Sequence, residues 1–344
     1  MQDKQSFFIE KSIKYIPSDM PVSKVGIGTY LGTDSLSDSE GYIESIIEAV
    51  SLGCNLIDTA INYRGMLSEL NVAQAVKLVI TRNLATREQL VIASKGGFVP
   101  CDWTNKRPLK DLVLQKLDMI NKNILPNIKM KKEDINHLKK HHHSIDCQFI
   151  EYMFNKTLKN TELNYLDIYY LHNPEKANEY LDKDELYMKI SESFSYLERM
   201  VKLGKLKYYG IATYHAFINN SDSKMHLDIE RLVELAKKAK GDNEHHFRYI
   251  QLPYNKVLTN VSELKNQTRD GIKSTTLDSA NYHNIHIITN VSLNQNKNNH
   301  QYTVNEMIDF LVKNDKITSS LIGMKTKNRV FNNISRISGV QYEV

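Results

Sequence analysis

Eight short apolar runs recur along the chain, and each is followed by a segment with helical periodicity. The runs end near residues 28, 58, 94, 171, 212, 251, 289 and 322 of the 344. Regular alternation of strand and helix predicts parallel strands joined by crossover helices. Eight such units favour one closed (β/α)₈ TIM barrel, with residues 1–344 as a single domain. An open doubly wound sheet is disfavoured, because no Gly-x-Gly-x-x-Gly joins the first strand to the first helix.

Two segments lie outside this alternation. Residues 6–16 alternate apolar and polar positions, which indicates an N-terminal β-hairpin. Residues 98–146 follow the third strand and are polar and basic, so we interpret them as an insertion on the barrel rim, either a lid over the substrate or a solvated loop. The insertion contains three consecutive histidines, but neighbouring residues rarely point at one metal ion, and no metal site is predicted. The predicted helices cover residues 40–53, 68–82, 144–158, 191–203, 227–239, 273–283 and 304–313, with a last one starting near 326.

Composition excludes several classes of protein. The net charge of +5 comes from 45 basic and 40 acidic residues, which is too small an excess to indicate nucleic-acid binding. The three cysteines are widely spaced and form no Cys-x-x-Cys pair, which is typical of a reducing compartment. We see no signal-peptide pattern and no apolar run near the ~18 residues of a membrane span. A cytoplasmic protein is therefore expected.

Four groups suited to proton transfer follow three consecutive strands. The second apolar run ends on Asp58, with Tyr63 five residues later, Lys95 follows the third run, and His172 follows the fourth. The carboxyl ends of barrel strands meet on the face where barrel enzymes place their chemistry, so these side chains are predicted to converge. Each also has an ordinary interpretation, respectively a helix N-cap, a rim aromatic, a solvated strand end and a turn residue. Together they favour a catalytic interpretation.

Six motifs along the chain, each on or beside a predicted strand, resemble those of the aldo-keto reductases in type and in order. The resemblance covers about residues 22–335. The motifs are Asp58-Thr59-Ala60 with Tyr63 and Ser68-Glu69, Val91 to Gly97, Leu166 to His172, Gly204 to Gly210, Ile250-Gln251, and Leu321 to Thr326. Three further stretches resemble one bacterial subgroup of that family, namely Ile61-Asn62-Tyr63-Arg64, Tyr170-Leu171-His172-Asn173-Pro174-Glu175 and His245-His246-Phe247-Arg248.

The resemblance implies an NAD(P)H-dependent oxidoreductase that reduces an aldehyde or ketone, or runs in reverse as an alcohol dehydrogenase. Asp58, Tyr63, Lys95 and His172 match the family's catalytic positions. Tyr63 would donate the proton and Lys95 would lower its pKa. Asp58 would hold Lys95 in place, and His172 would hydrogen-bond the carbonyl oxygen.

The resemblance also implies an NADPH molecule extended across the barrel mouth. Lys325, Thr326 and Arg329 would bind its 2′-phosphate at the start of the last helix. Asn333 would face the adenine, and Gln251 with Thr213 would bind the nicotinamide amide. The complete set of predicted cofactor contacts is Gly28, Thr29, Thr213, Gln251, Ser292, Leu293, Gly323, Lys325, Thr326, Arg329 and Asn333.

Three departures from the family pattern affect the cofactor end of the site. Ala212-Thr213 replaces the usual Ser-Asn, Asn290 replaces an aromatic that stacks on the nicotinamide, and Arg64 replaces the glycine after the catalytic tyrosine. They motivate an alternative, a catalytically weak or inactive NADP(H)-binding regulatory barrel like the family's channel beta subunits. A third hypothesis is an enzyme acting on a substrate carried by a larger assembly that docks on the insertion. A small carbonyl or alcohol substrate, with no nucleic acid and no membrane, is the leading expectation.

Overall fold

The computed structural model describes residues 13–15, 20–101, 109–296 and 301–338. Eight parallel strands form a closed barrel in the order β3-β4-β5-β6-β7-β8-β11-β12. The strands are β1 (Ile13–Tyr15), β2 (Pro21–Ser23), β3 (Val25–Gly28), β4 (Leu56–Asp58), β5 (Val91–Gly96), β6 (Leu166–His172), β7 (Leu206–Ala212), β8 (Phe247–Pro253), β9 (Gln267–Arg269), β10 (Ile272–Ser274), β11 (His286–Asn290) and β12 (Ser319–Ile322). The predicted (β/α)₈ barrel and all eight of its strands are confirmed.

Helices surround the barrel and bury its outer face. They are α1 (Leu36–Ser51), α2 (Leu67–Thr81), α3 (Leu109–Asp118), α4 (Lys132–His141), α5 (Cys147–Thr161), α6 (Lys183–Lys202), α7 (Ile229–Lys240), α8 (Asn260–Glu263), α9 (Thr276–Tyr282), α10 (Val304–Val312) and α11 (Lys327–Ser338). Within the part of the chain that the structure describes, no helix is long and apolar enough to cross a membrane.

Several helix boundaries differ from the sequence prediction, and two of these differences have a clear local cause. The helix predicted from residue 191 begins at Lys183, because Asp182 and Glu185 form a capping box that starts it earlier. The helix predicted from residue 273 begins at Thr276, because the β9–β10 hairpin occupies the residues before it. Asp270 and Gly271, with φ of 49° and 77°, form the left-handed turn that such a two-residue hairpin needs.

The predicted N-terminal hairpin is present as β1 paired with β2; residues 6–12 and 16 of the predicted range lie outside the described residues. Met20 and Val22 are buried among the side chains that fill the barrel. Asn55, just before β4, ties β2 in place by accepting a hydrogen bond from the Ser23 amide and donating one to the Pro21 carbonyl. The hairpin therefore closes the amino-terminal end of the barrel and leaves the carboxyl-terminal end for ligands.

The described part of the insertion after β5 is largely helical, so its interpretation as a solvated loop is wrong. It contains α3, a π-helical turn at Met119–Ile124, a 3₁₀ turn at Leu125–Asn127, and α4. Ile120, Ile124 and Leu138 are fully buried and belong to the hydrophobic core between barrel and helices. Their burial holds the insertion against the barrel despite its polar composition.

Candidate active site

A buried ion pair lies where β4 and β5 end. Lys95 Nζ is 2.5 Å from Asp58 Oδ1 and donates a second hydrogen bond, of 2.9 Å, to the Thr59 carbonyl. Gln251 Nε2, on β8, donates to the other carboxylate oxygen of Asp58 at 2.7 Å. Burial raises the pKa of Asp58 and lowers the pKa of Lys95, and the opposite charge of the partner counteracts both shifts. Because donors surround the carboxylate and acceptors surround the ammonium, the neighbours favour the charged pair.

Tyr63 lies beside this pair, on a 3₁₀ turn at Tyr63–Met66. Lys95 Nζ is 4.8 Å from the centroid of its ring, and the ring of Tyr30 packs against it edge-on at 5.0 Å. Burial and the negative charge of Asp58 raise the pKa of Tyr63 well above its ordinary value. The lowering of this pKa expected from Lys95 is outweighed, because burial disfavours the phenolate and the Asp58 carboxylate lies 2.5 Å from the ammonium.

His172, at the end of β6, completes the group of four. Its ring centroid lies 6.1 Å from that of Tyr63 and 4.9 Å from that of Phe98. Burial and the charge of Lys95 lower the pKa of His172 well below its ordinary value, so the imidazole is neutral at neutral pH. Its Nδ1 atom is buried and has no hydrogen-bond partner among the described residues. The structure thus brings together all four side chains that were predicted as catalytic.

Arg64, which follows Tyr63, is buried and acts as a structural tie. Its Nε donates to the Thr33 carbonyl at 2.6 Å, Nη1 to Asn71 Oδ1 at 2.7 Å and Nη2 to Ser39 Oγ at 2.8 Å. The guanidinium also lies 5.1 Å from the ring centroid of Tyr42. These contacts join the turn that carries Tyr63 to α1, to α2 and to the loop after β3.

Two predicted cofactor contacts, Thr29 and Gln251, already have partners at or near Asp58. The Thr29 hydroxyl donates to the Asp58 carbonyl at 3.1 Å, and Gly28 precedes it at the end of β3. Asn290 Nδ2 lies 3.5 Å from Gln251 Oε1, so the residue that replaces the usual aromatic contacts the residue that bonds Asp58. A chain of polar contacts therefore runs from the end of β11 to the ion pair.

Thr213 is committed to a different partner from the one predicted. Its hydroxyl donates to Glu175 Oε1 at 2.6 Å and accepts from the Ala216 amide at 2.8 Å, so its one proton is already used. Glu175 is fully buried, burial raises its pKa, and its Oε2 atom lacks a hydrogen-bond partner within the described ranges. Sequence reasoning assigned no role to Glu175, although the Asn-Pro-Glu stretch after His172 was a signal for it.

The loop after β11 is strained and polar. Val291 has a φ of 55°, a left-handed conformation that a β-branched residue rarely adopts. The Ser292 hydroxyl is buried and has no hydrogen-bond partner in the described part of the chain, while Leu293 is half-buried. Backbone strain of this kind is common at ligand-binding segments. The pyrophosphate contact at Ser292 and Leu293 stays a prediction.

Residues 323–333 border the barrel mouth beside α1. Lys325 Nζ forms an ion pair of 2.5 Å with Asp38 Oδ1, whose other oxygen accepts from the amide and hydroxyl of Thr33. The ion pair was not predicted; an acid in the first turn of α1 was its only sequence signal. Of the other predicted contacts, Gly323, Thr326 and Arg329 are exposed and Asn333 is buried.

The histidine-rich stretch before β8 lies at the end of the barrel opposite to Asp58, Tyr63, Lys95 and His172. His246 Nδ1 and the His246 amide both contact the Glu198 carboxylate at 2.8 Å, and the Tyr209 hydroxyl donates to the same carboxylate at 3.0 Å. Arg248 lies 3.2 Å from His245 Nδ1. This stretch therefore stabilises the base of the barrel, where strands begin. Across the described residues, no cluster of three or more potential metal ligands occurs.

The closed barrel and the convergence of Asp58, Lys95, Tyr63 and His172 agree with the fold and site that the resemblance to the aldo-keto reductases implies. The model of the Aldo/keto reductase family matches residues 24–337, and the chain belongs to this family.

A sequence relative is the NADH-specific methylglyoxal reductase of Escherichia coli (strain K12), which is 26% identical over 211 residues. The match covers 60% of this chain and 53% of that protein, so the chain spans about half the length of this relative.

Solved structures share the fold at low identity. An aldo/keto reductase from Klebsiella pneumoniae, in complex with NADP and acetate, gives a TM-score of 0.59 at 14% identity, covering 95% of this chain and 89% of that chain. A putative aldo-keto reductase from Pseudomonas aeruginosa gives a TM-score of 0.58 at 14% identity, and the match covers 96% of this chain and 97% of that chain.

Proposed function

We propose that this protein reduces the carbonyl group of a small aldehyde or ketone with NADPH, and that Tyr63 is its general acid. The observation that carries the proposal is the convergence of Asp58, Lys95, Tyr63 and His172 at the carboxyl ends of β4, β5 and β6. Membership of the family supports an oxidoreductase, and the buried ion pair beside a phenol supports acid–base chemistry.

The side chains divide the work as follows. A nicotinamide bound at the barrel mouth would supply the hydride for the carbonyl carbon. Tyr63 Oη–H donates its proton to the carbonyl oxygen, so the product is an alcohol and the phenolate is left on the enzyme. The Lys95 ammonium, 4.8 Å from the ring centroid, offsets that phenolate charge until solvent returns the proton. Neutral His172 orients the carbonyl oxygen by hydrogen bonding, and Asp58 holds Lys95. In the oxidative direction the phenolate is the base.

We retain the predicted cofactor contacts in this proposal, although several of these side chains already have partners within the protein. The buried Ser292 hydroxyl without a partner among the described residues suits a pyrophosphate oxygen, and Gln251 at the end of β8 suits the carboxamide. Lys325 and Arg329 would hold the 2′-phosphate of NADPH, and Lys325 must first leave Asp38. The discrimination between NADPH and NADH therefore depends on that ion pair.

We propose that the reaction takes place in the cytoplasm, which the lack of a disulfide bond among Cys54, Cys101 and Cys147 supports.

The experiment compares the wild-type protein with Tyr63→Phe in an NADPH absorbance assay over a panel of aldehydes and ketones. We expect reduction by the wild type, and a loss on the order of 10³-fold or more in kcat for Tyr63→Phe with NADPH affinity nearly unchanged. Tyr214→Phe, a change at another partly exposed tyrosine after a barrel strand, is the matched control and should retain full activity. Wild-type-like activity in Tyr63→Phe would refute the assignment of the acid.

A second candidate is an NADP(H)-binding regulatory barrel with little turnover. It is favoured by the commitment of the Thr213 hydroxyl to Glu175 and by Asn290 in place of a stacking aromatic. Calorimetry separates the two: tight NADPH binding with no turnover of any carbonyl or alcohol, together with a protein partner bound to the insertion, would favour the second.

A further inference from the structure

A histidine of the insertion contacts His172 directly. His143 Nε2 lies 2.8 Å from the His172 carbonyl oxygen, and the His143 side chain is fully buried. The parallel pairing of β5 with β6 reaches only Gly96 opposite Leu171, one residue before His172. The imidazole therefore supplies a donor to the His172 carbonyl just beyond the end of the strand ladder.

The backbone around His143 is built to deliver that donor. His143 pairs with Phe98 in an antiparallel bridge, and hydrogen bonds from the Val99 amide to the His142 carbonyl and from the Ser144 amide to the Gly97 carbonyl flank it. The Phe98 ring lies between the two imidazoles, 4.7 Å from His143 and 4.9 Å from His172 by centroid. The insertion is thus connected to the end of β6 through a short two-stranded pairing and an aromatic ring that packs edge-on against both imidazoles.

Gly97 is the residue that makes room for this contact. Its φ of 154° is rarely adopted by residues with a side chain, and a Cβ atom there would lie 2.6 Å from the His172 carbonyl oxygen and 3.1 Å from His143 Nε2. The hydrogen bond therefore runs through the space that the absent side chain leaves.

The protonation of His143 follows from its partners. A carbonyl oxygen only accepts, so Nε2 must carry the proton, and Nδ1 has no hydrogen-bond partner among the described residues. Burial lowers the pKa of His143 to about 4, so the ring stays neutral at neutral pH. His143 is therefore a hydrogen-bond donor of fixed tautomer, and no second partner among the described residues competes for its ring.

We propose that His143 is a positioning residue for the reaction: its Nε2–H bond to the His172 carbonyl fixes the backbone, and so the imidazole, of His172 against the substrate oxygen. This inference rests on the proposed function, in which His172 orients the carbonyl. It assigns the insertion a part in catalysis through one hydrogen bond. The other two histidines of the triplet differ, since His141 is paired with Glu179 near the surface and His142 is half-buried.

The test compares His143→Phe, which keeps a ring without a donor, with His143→Gln, whose amide N–H can replace Nε2–H. His141→Phe is the matched control within the same triplet. For each variant we measure kcat and KM for aldehyde reduction, the Kd for NADPH, and the ¹⁵N shifts of the His172 ring in histidine-labelled protein, with the signal assigned through His172→Gln.

We expect His143→Phe to lower kcat by about ten-fold or more, because a displacement of ~1 Å at a reacting group costs up to ~100-fold. The Kd for NADPH should change by less than about two-fold, and His143→Gln should recover most of kcat. His141→Phe should match the wild type. Equal losses in His143→Phe and His143→Gln, or wild-type kcat in His143→Phe, would overturn the proposal.

The ring shifts separate a failure of this inference from a failure of the proposed function. If the wild type reduces no carbonyl, the proposed function fails. The His172 shifts still decide the positioning: a change in His143→Phe that His143→Gln reverses supports it, and unchanged shifts overturn it.

Discussion

Replacing Arg64 with glycine, the residue usual at this position in the family, should destabilise the protein even though it relieves backbone strain. Arg64 has a φ of 49° and is only 2% exposed. Its three hydrogen bonds, of 2.6, 2.7 and 2.8 Å, end on Thr33, Asn71 and Ser39. Glycine removes all three and leaves these acceptors to be hydrated by water entering the space.

The magnitude follows from opposing contributions. Hydrogen bonds to a charged donor contribute roughly 1.5–3 kcal/mol each when one partner is deleted. The glycine variant avoids the cost of burying a guanidinium on folding, which offsets several kcal/mol. Glycine also relieves about 1 kcal/mol of backbone strain at a left-handed residue. The expected net loss is about 2–4 kcal/mol in the free energy of unfolding.

The assay is urea denaturation followed by far-ultraviolet circular dichroism. Asn83→Gly is the matched control, because Asn83 is also left-handed, with a φ of 55°, but is exposed on the surface. It should be neutral or stabilising by up to about 1 kcal/mol. If the two glycine variants shift the midpoint by the same amount, the hydrogen bonds of Arg64 contribute nothing and the reasoning fails.

Three further outcomes follow from the charges in the site. The kcat for reduction should be independent of pH from about pH 6 to 9, because the pKa of His172 is lowered and the pKa of Tyr63 is raised out of this range. A change in kcat with a midpoint near pH 6.5 would contradict this prediction. Asp38→Asn removes a negative charge beside Lys325, so it should tighten NADPH binding on the order of ten-fold and leave the affinity for NADH nearly unchanged. Fluorescence titrations measure both affinities, and equal changes for the two cofactors would contradict this prediction. The pKa of His143 is about 4 in the folded protein and 6.5 ordinarily, so the unfolded chain binds this proton more readily. The free energy of unfolding should therefore decrease as the pH is lowered below 6.5. Between pH 7 and 5 the wild type should lose about 2 kcal/mol more than His143→Gln in urea denaturation, and equal losses would contradict this.

The insertion shows why a polar composition misled the sequence interpretation. Its α4 helix fully buries a single hydrophobic residue, Leu138, and its other positions are exposed or only partly buried. A helix that packs through so few contacts has the composition of a loop. Its attachment depends instead on Phe98, His143 and the core contacts of the preceding π-helical turn, which are set by residues distant in the chain.

The sequence by itself determined the barrel, the order of its strands and the four groups at the strand ends. These features are local, since an apolar run, a helical period and the residue that ends a strand are all written in consecutive positions. Parallel strands bring their carboxyl ends to one face, so convergence of Asp58, Lys95 and His172 followed without knowledge of any particular contact.

Only the tertiary structure decided the partners of the polar side chains. Lys325 pairs with Asp38, Thr213 donates to Glu175, and His143 holds His172. Burial next to Asp58 likewise raised the pKa of Tyr63, against the expectation from Lys95 alone. Hydrogen bonds and pKa values depend on distances of a few ångströms between residues far apart in the chain, and those distances exist only once the barrel has closed.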